Sequence, residues 1–243
     1  MIKGLYRSAS AMLPRLKQQE AIANNLANAS SPGFRKDMIF TQELSRAQAR
    51  QTIRKSDWEQ PMIDQVYTSY EQGSLDKTDS PLDLALEGDG FFVYETESGD
   101  LLYSRAGNLS IDPQGFLADP EGNRLMGDGG PINVGSGDIS VSESGQVEVD
   151  NTAQANIRVV DFEDKSVLQK TESTGFMIPE GIEPAAAVNF AIRQGYLESS
   201  NVEIIQEMVD MISSFRNYEA DAQAVKAQDD SLEKLMANVG RVR

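Results

Sequence analysis

The stretch NVEIIQEMVDMISSFRNYEADAQAVKAQDDSLEKLMANV, residues 201–239, decides how the rest of the chain is read. Val202, Ile205, Val209, Ile212, Phe215, Tyr218, Ala222, Val225, Asp229, Leu232, Met236 and Val239 follow one another at steps of three or four, and only Asp229 among them is polar. That period marks one face of an α-helix. No Gly or Pro interrupts it, Ser199, Ser200 and Asn201 offer N-cap side chains, and Glu203 falls in the first turn. The pattern predicts a helix of nearly forty residues, about 55 Å long at 1.5 Å per residue. Ile204, Met208, Met211 and Leu235 widen its apolar face beyond a narrow seam.

A second helical stripe lies at the other end of the chain. Ile2, Leu5, Ala9, Met12, Leu16, Ala23 and Leu26 are spaced by threes and fours, with one gap of seven at Gln19. Pro14 sits inside this stripe, and a proline in a helix interior costs about 3 kcal/mol and a backbone donor. A kink near Pro14, or a helix that is firm only after it, is expected. Ser30-Ser31-Pro32-Gly33 ends the helix. Packed together, the two helices would form a hairpin whose outer faces still expose apolar surface, and such a patch marks a protein–protein interface.

Between the helices the pattern changes twice. Residues 35–65 are polar and mixed, with an isolated Trp58 and then Pro61. They read either as an extended linker or as a helix followed by a loop. Residues 66–199 carry turn signals every eight to twelve positions, among them Gly88-Asp89-Gly90, Ser98-Gly99-Asp100, Asp112-Pro113-Gln114-Gly115 and Pro120-Glu121-Gly122-Asn123. Short apolar runs such as Phe91-Phe92-Val93-Tyr94 lie between them, which argues for a β-sandwich or small barrel. The expected fold class is α+β: long N- and C-terminal helices packed as a coiled-coil-like hairpin, with an inserted all-β domain. The expected boundaries are 1–34 and 200–243 for the helices of an assembly domain, 35–65 for the linker and 66–199 for the β-rich domain.

Composition removes whole classes of chemistry. The 243 residues include no Cys and no His, so disulfides, Cys/His zinc sites and Ser-His or Cys-His nucleophile systems are excluded. No apolar run approaches the roughly 18–20 residues of a membrane span, so membrane insertion is not expected. The opening Met1-Ile2-Lys3-Gly4-Leu5 lacks the uninterrupted apolar run of a cleaved secretory signal. The net charge of −16 divides into +5 for residues 1–60, −18 for 61–200 and −3 for 201–243. A chain this acidic is not expected to bind nucleic acid; a basic arm meeting acidic neighbours in an assembly fits the asymmetry.

The acidic pairs Asp79/Asp83, Glu87/Asp89 and Asp119/Glu121 are expected by chance among so many carboxylates and read as solvated turn residues rather than glycosidase or cation sites. Asp119-Pro120-Glu121-Gly122-Asn123 alternates oxygen ligands like a calcium loop. It then carries Arg124 where that loop needs Gly and Gly130 where it needs Glu. Gly88-Asp89-Gly90 is too short for a phosphate fingerprint. Asn24, Asn25 and Asn28 read as a hydrogen-bonding stripe beside the apolar seam. No catalytic residue, cofactor site, metal site or small-molecule substrate is expected.

Four blocks together resemble the bacterial flagellar rod and hook family. They are Ala23-Asn24-Asn25-Leu26-Ala27-Asn28 through Gly33-Phe34; Gln72-Gly73-Ser74-Leu75 with Leu82-Asp83-Leu84-Ala85-Leu86 and Gly88-Asp89-Gly90-Phe91-Phe92; Tyr103-Ser104-Arg105-Ala106-Gly107-Asn108; and Gln194-Gly195-Tyr196-Leu197-Glu198-Ser199-Ser200-Asn201-Val202, continuing through Glu207-Met208-Val209 and Arg216-Asn217-Tyr218-Glu219-Ala220. Departures from the family pattern are Pro14 and Asp221, where Asn is common. The resemblance implies a non-enzymatic structural subunit that is exported by the flagellar export apparatus without a cleaved signal. It would assemble with copies of itself and other rod subunits in the periplasmic rod of the basal body. Length and the run Ser80-Pro81-Leu82-Asp83-Leu84-Ala85-Leu86 favour the proximal-rod type, with the distal-rod type as the alternative suggested by Met1-Ile2-Lys3-Gly4-Leu5. A secreted binder or carboxylate enzyme acting on cell wall is the more distant alternative. The assembly interface is expected on Ile2, Leu5, Met12, Leu16, Asn24, Asn25, Leu26, Asn28, Val202, Ile205, Val209, Ile212, Phe215, Tyr218, Val225, Leu232 and Met236.

Overall fold

The computed structural model describes residues 2–42, 62–171, 174–179 and 181–239. They form two compact units. The first comprises Met1–Ala27, Asp37–Ser69 and Glu203–Arg243; the second comprises Asn28–Lys36 and Tyr70–Val202.

The first unit holds both long helices, α1 (Ile2–Ala27) and α2 (Ile204–Val239), and a two-stranded antiparallel ribbon of β1 (Asp37–Gln42) and β2 (Met62–Thr68). Helix α1 runs without a break through Pro14. Strand β1 and the first part of β2 lie in residues 35–65, the stretch that reads as linker or as helix with loop, and the end of β2 reaches into residues 66–68 of the expected β-rich domain. The ribbon's strand-forming residues are Met38-Ile39-Phe40-Thr41 and Val66-Tyr67-Thr68, all but Met38 β-branched or aromatic types that suit a pleated surface. Asp37 pairs with Thr68 and Met38 with Tyr67, and a bulge falls between Phe40 and Thr41. Trp58 and Pro61, with the rest of 43–61, lie outside the described residues.

The second unit is built of antiparallel strands. In chain order they are β3 (Leu75–Lys77), β4 (Leu84–Gly88), β5 (Phe91–Glu95), β6 (Leu101–Ser104), β7 (Ser110–Ile111), β8 (Leu117–Ala118), β9 (Arg124–Gly127), β10 (Gly130–Pro131), β11 (Ile139–Val141), β12 (Gln146–Val149), β13 (Thr152–Asn156), β14 (Val159–Asp161), β15 (Gln169–Lys170), β16 (Gly175–Met177), β17 (Ala185–Ala186), β18 (Phe190–Gln194) and β19 (Tyr196–Glu198). The largest sheet runs β15-β16-β6-β5-β9-β8-β7, with β14 also on β5 and β17 on β14. Strands β11-β12-β13 form a second sheet, while β18 pairs with β4 and β19 with β3.

Strand β5 explains why the core has two parts. Side chains alternate across a strand, so Phe92 and Tyr94 enter one apolar cluster with Leu86, Leu125 and Ile192. Phe91 and Val93 enter another with Tyr103, Phe162 and Phe176. All four are buried, which is why the run Phe91-Phe92-Val93-Tyr94 shows no polar alternation. The second cluster is aromatic, and its rings meet edge to face: Phe91 with Phe176 at 5.8 Å and Tyr103 with Phe162 at 5.1 Å. The Tyr94 hydroxyl is buried with its ring and donates to the Ala106 carbonyl at 2.5 Å. Burial pushes its acidity well out of the physiological range.

The expected α+β class, with a coiled-coil-like hairpin of terminal helices carrying a β insert, is corrected. Among the described residues there are two α-helices against nineteen strands, and about 27% of the chain is helical, so the protein is mostly β-sheet. Helical periodicity was real in both end segments, but it does not make a hydrophobic seam. Ile205 is 81% exposed and Ile212 55%, although both belong to the apolar series on which the hairpin reading rested.

Truncating Leu125, fully buried at the centre of the first cluster, to alanine is expected to lower stability by about 2–5 kcal/mol in urea titration followed by tyrosine fluorescence. Val188→Ala, at an exposed apolar residue, is expected to change it by less than about 0.5 kcal/mol.

Candidate assembly interface

Helix α2 presents its apolar residues on two different sides. Each step of three residues falls about 60° short of a full turn, so two in succession, Ile212 to Phe215 to Tyr218, swing the apolar series about 120° around the axis. Before the swing, Ile204, Ile205, Met208, Val209, Ile212 and Phe215 are exposed. After it, Tyr218, Val225 and Leu232 join the covered side. The covered stripe is Glu207, Met211, Ser214, Tyr218, Asp221, Val225, Gln228 and Leu232, and every seventh residue in it, from Glu207 to Gln228, is polar. Asp221 accepts from Arg15 Nε at 2.6 Å, and Glu207 accepts from Asn25 Nδ2 at 3.3 Å. The Ser214 hydroxyl, the Gln19 amide nitrogen and the Gln228 amide oxygen are covered without a hydrogen-bond partner among the described residues. Each such group costs about 1–3 kcal/mol. The covered side of α2 is thus a poor one, and its better apolar side faces outward.

Asn25 ties the first unit together. Its Nδ2 donates to the Asp37 carbonyl at 2.9 Å while its Oδ1 accepts the Asp37 N–H at 2.8 Å. One side-chain amide thereby copies the two-way pairing of a neighbouring strand, and the first residue of β1 is held against α1. Glu207 takes part through the same nitrogen. Asn25 is 1% exposed, and Glu207 is also buried.

The second unit buries an ion cluster. Glu198 has no exposed side-chain surface; its Oε1 meets Arg35 Nη2 at 2.7 Å and its Oε2 meets Arg105 Nη1 at 3.2 Å. Arg105 also donates to the carbonyls of Leu86 at 3.2 Å and Gly88 at 2.7 Å, and Arg35 to that of Glu71. Burial pushes both guanidinium pKa values below the ordinary one, and the Glu198 carboxylate works against that shift. Close chain approach accompanies the cluster. Gly33 has φ +68°, and a Cβ there would stand 2.3 Å from the Ala106 nitrogen; one on Gly73 would stand 2.0 Å from the Ser199 carbonyl oxygen.

The acidic turns behave as turns. Asp119 accepts the N–H groups of Glu121 and Asn123, both at 2.9 Å, and Asp112 those of Gln114 and Phe116. These are Asx turns, in which the carboxylate stands in for a backbone acceptor. Burial would raise the Asp112 pKa, but the two N–H donors and Arg124 outweigh it and hold it low. No group of acidic residues among the described ones is arranged to hold a metal ion.

Three segments of the chain match known families. Residues 5–35 match the Flagella basal body rod protein family, 85–149 the Flagellar hook protein FlgE/F/G D1 domain, and 193–238 the Flagellar basal body rod FlgEFG protein C-terminal family. The chain is 30% identical to the flagellar basal-body rod protein FlgG of Buchnera aphidicola from Schizaphis graminum, over 97% of this chain and 99% of that one. The chain belongs to the flagellar basal-body rod protein family. It is also 30% identical to the rod protein FlgF of Salmonella typhimurium, over 95% of this chain and 96% of the relative, and 28% identical to FlgF of Caulobacter vibrioides, over 100% and 98%. This rod protein is a structural subunit of the basal body that assembles with other rod subunits, and it is not an enzyme.

The family segments map onto the geometry of this rod subunit. The first contains Asn25 and Arg35 and the third contains Glu198 and Glu207, so the two terminal segments meet at both polar clusters. Of the residues expected at an interface, Leu16, Asn24, Ile205, Val209, Ile212, Phe215 and Met236 are exposed. Met12, Leu26, Asn28, Val202, Tyr218, Val225 and Leu232 are half-buried, and Asn25 is buried. Ile2 and Leu5 lie on α1, with side chains outside the described set. Sequence reasoning missed Arg35, Arg105 and Glu198. No spacing marks them: Arg35 stands beside Lys36 and Asp37, Arg105 beside Ser104, and Glu198 beside Ser199 and Ser200, all ordinary surface company. Asp221, the departure from the family pattern, has an account in its ion pair with Arg15.

Replacing Asn25 with alanine removes the two hydrogen bonds between its side chain and the Asp37 backbone and the one to Glu207, and is expected to lower the stability of the helix-bearing unit by about 1–3 kcal/mol. Circular dichroism at the helix band, followed through a urea titration, reads this directly.

Proposed function

We propose that this chain is a proximal-rod subunit that enters the growing rod by burying the outward face of α2 against neighbouring subunits. The observation that carries the reading is the run of exposed apolar residues Ile205, Val209, Ile212 and Phe215 on one side of a helix whose covered side carries a polar residue at every seventh position and is incompletely hydrogen-bonded. A large exposed apolar patch on a structural subunit fits a contact with another subunit, and each large side chain fully buried there contributes about 1.5–3 kcal/mol. The interface extends over the expected residues of both helices, with Leu16 and Met236 at its exposed positions. The subunit reaches the rod through the flagellar export apparatus, the route that membership of this family implies.

The proximal assignment draws on chain length. Alignments with the FlgF relatives run over 245–250 positions, near the 243 residues of this chain, whereas those with FlgG relatives run over 258–264. The FlgG alignments therefore need more gaps. The distal-rod reading rests on equal identity to FlgG proteins and has no comparable support from length.

Ordering long helices has an entropic cost that isolated helices recover poorly. The monomer is expected to keep its β unit while its terminal helices hold on weakly until neighbours cover them. Limited proteolysis should leave a resistant core of residues 70–202 with residues 28–36 still held on it; fully protected ends would count against coupling of helix order to assembly. Ile212→Asp should abolish rod incorporation and swimming while the β unit stays folded, and normal incorporation would sink the docking face. Basal bodies from cells lacking the distal-rod subunit should still contain this chain by mass spectrometry; its absence there would overturn the proximal assignment.

A further inference from the structure

The chain passes between its two units at Ala27/Asn28, Lys36/Asp37, Ser69/Tyr70 and Val202/Glu203. Inside the β unit, the stretches next to these passages converge on one carboxylate. Gly33 N–H donates to the Glu198 carbonyl at 2.7 Å, and Gly73 N–H to Glu198 Oε1 at 3.1 Å. Arg35 bridges the Glu198 carboxylate and the Glu71 carbonyl. Asn201 completes the set: its Oδ1 accepts the Lys36 N–H at 2.8 Å and its Nδ2 donates to the Glu71 carbonyl at 3.0 Å. Lys170 closes over the same stretch, donating to the Arg35 carbonyl at 2.7 Å with its ammonium 3.9 Å from the Phe34 ring centre.

We propose that Glu198, with Arg35 and Arg105, is a positioning clamp that holds residues 33–36, 71–73 and 198–201 at one point of the β unit, and so sets where the chain leaves it toward both terminal helices. None of residues 33–36 or 71–73 lies in a strand, so their backbone groups need other partners. Apolar burial would hide such stretches but is non-directional and would let them slide. Hydrogen bonds to the Glu198 carboxylate and from the planar Arg35 guanidinium set their direction as well, while Arg105 fixes the carboxylate itself. A buried ion cluster is a poor source of net stability and a good source of register. That balance suits stretches of chain that lie outside any strand and still need a fixed course within the β unit.

The test uses the full-length monomer and hydrogen exchange. In an Arg35→Met/Arg105→Met/Glu198→Met variant, charge is removed without leaving any buried ion unpaired. Core amides such as Val93 and Leu125 are expected to exchange as in the parent. Those of Gly33, Gly73, Ser199 and Asn201 should exchange about tenfold faster or more, as expected for local opening. Parent-like protection at those four positions would overturn the clamp. Should the triple variant fail to fold, Glu198→Gln serves instead. Loss of protection at the four positions ahead of the core supports the clamp, and uniform acceleration across the β unit overturns it, leaving only a core stabiliser. Because exchange is read on the monomer, this outcome is independent of whether the α2 face docks to neighbours.

Discussion

A carboxylate with no access to water must be met by charge and hydrogen bonds, or it will not stay ionised and buried. Glu198 meets that requirement by drawing in Arg35 from just after α1 and Arg105 from just after β6, with the Gly73 N–H as a further donor. Moving a charged group out of water costs several kcal/mol even after relaxation, so each partner is obligatory once the first is in place. The requirement reaches the backbone. Gly33 and Gly73 are glycines because chain must approach chain without an intervening Cβ, and Leu86 and Gly88 lend carbonyls to a guanidinium that one carboxylate cannot satisfy alone.

The helices follow a different logic. In α2 the covered side repeats a polar residue every seven positions, while the uncovered side before the swing at Phe215 is apolar. A helix meant to finish its folding inside one molecule would be arranged the other way round. Arg15 with Asp221 gives the covered side direction without much energy, since partly exposed pairs contribute about 0–1 kcal/mol, and the buried hydrogen bond from Asn25 to Glu207 adds direction at a second point. Much of the apolar area of α2 is left uncovered within the subunit, the face proposed above to meet neighbouring chains.

Much of this was legible in residue order. The run Phe91-Phe92-Val93-Tyr94 announced a strand buried on both faces, the Asp-rich turns announced themselves by spacing, and both helices were readable from their period. What could not be read was which face of α2 is covered. Periodicity locates apolar residues; it does not say what lies over them, and the covering stripe of Glu207, Ser214, Asp221 and Gln228 is invisible to a search for apolar spacing. The weight of helix against sheet was misjudged for a related reason, since two long periodic segments dominate the eye while many strands of two to five residues do not. The ribbon β1–β2 escaped because four strand-forming residues in a polar stretch are a weak signal and their partner strand starts some twenty residues further on. Arg35, Arg105 and Glu198 escaped because charge is ordinarily a surface property.

Asn25 carries a consequence of its own. Its amide is a gauge of length: the carbonyl oxygen and nitrogen reach both backbone groups of Asp37 only because one methylene separates them from the helix. Glutamine, with the same chemistry, would push the amide outward by about 1.5 Å, one carbon–carbon bond, and aspartate would lose the donor and face the Glu207 carboxylate. Asn25 is therefore a ruler rather than a ligand, one that measures the separation between a helix and the strand that follows it.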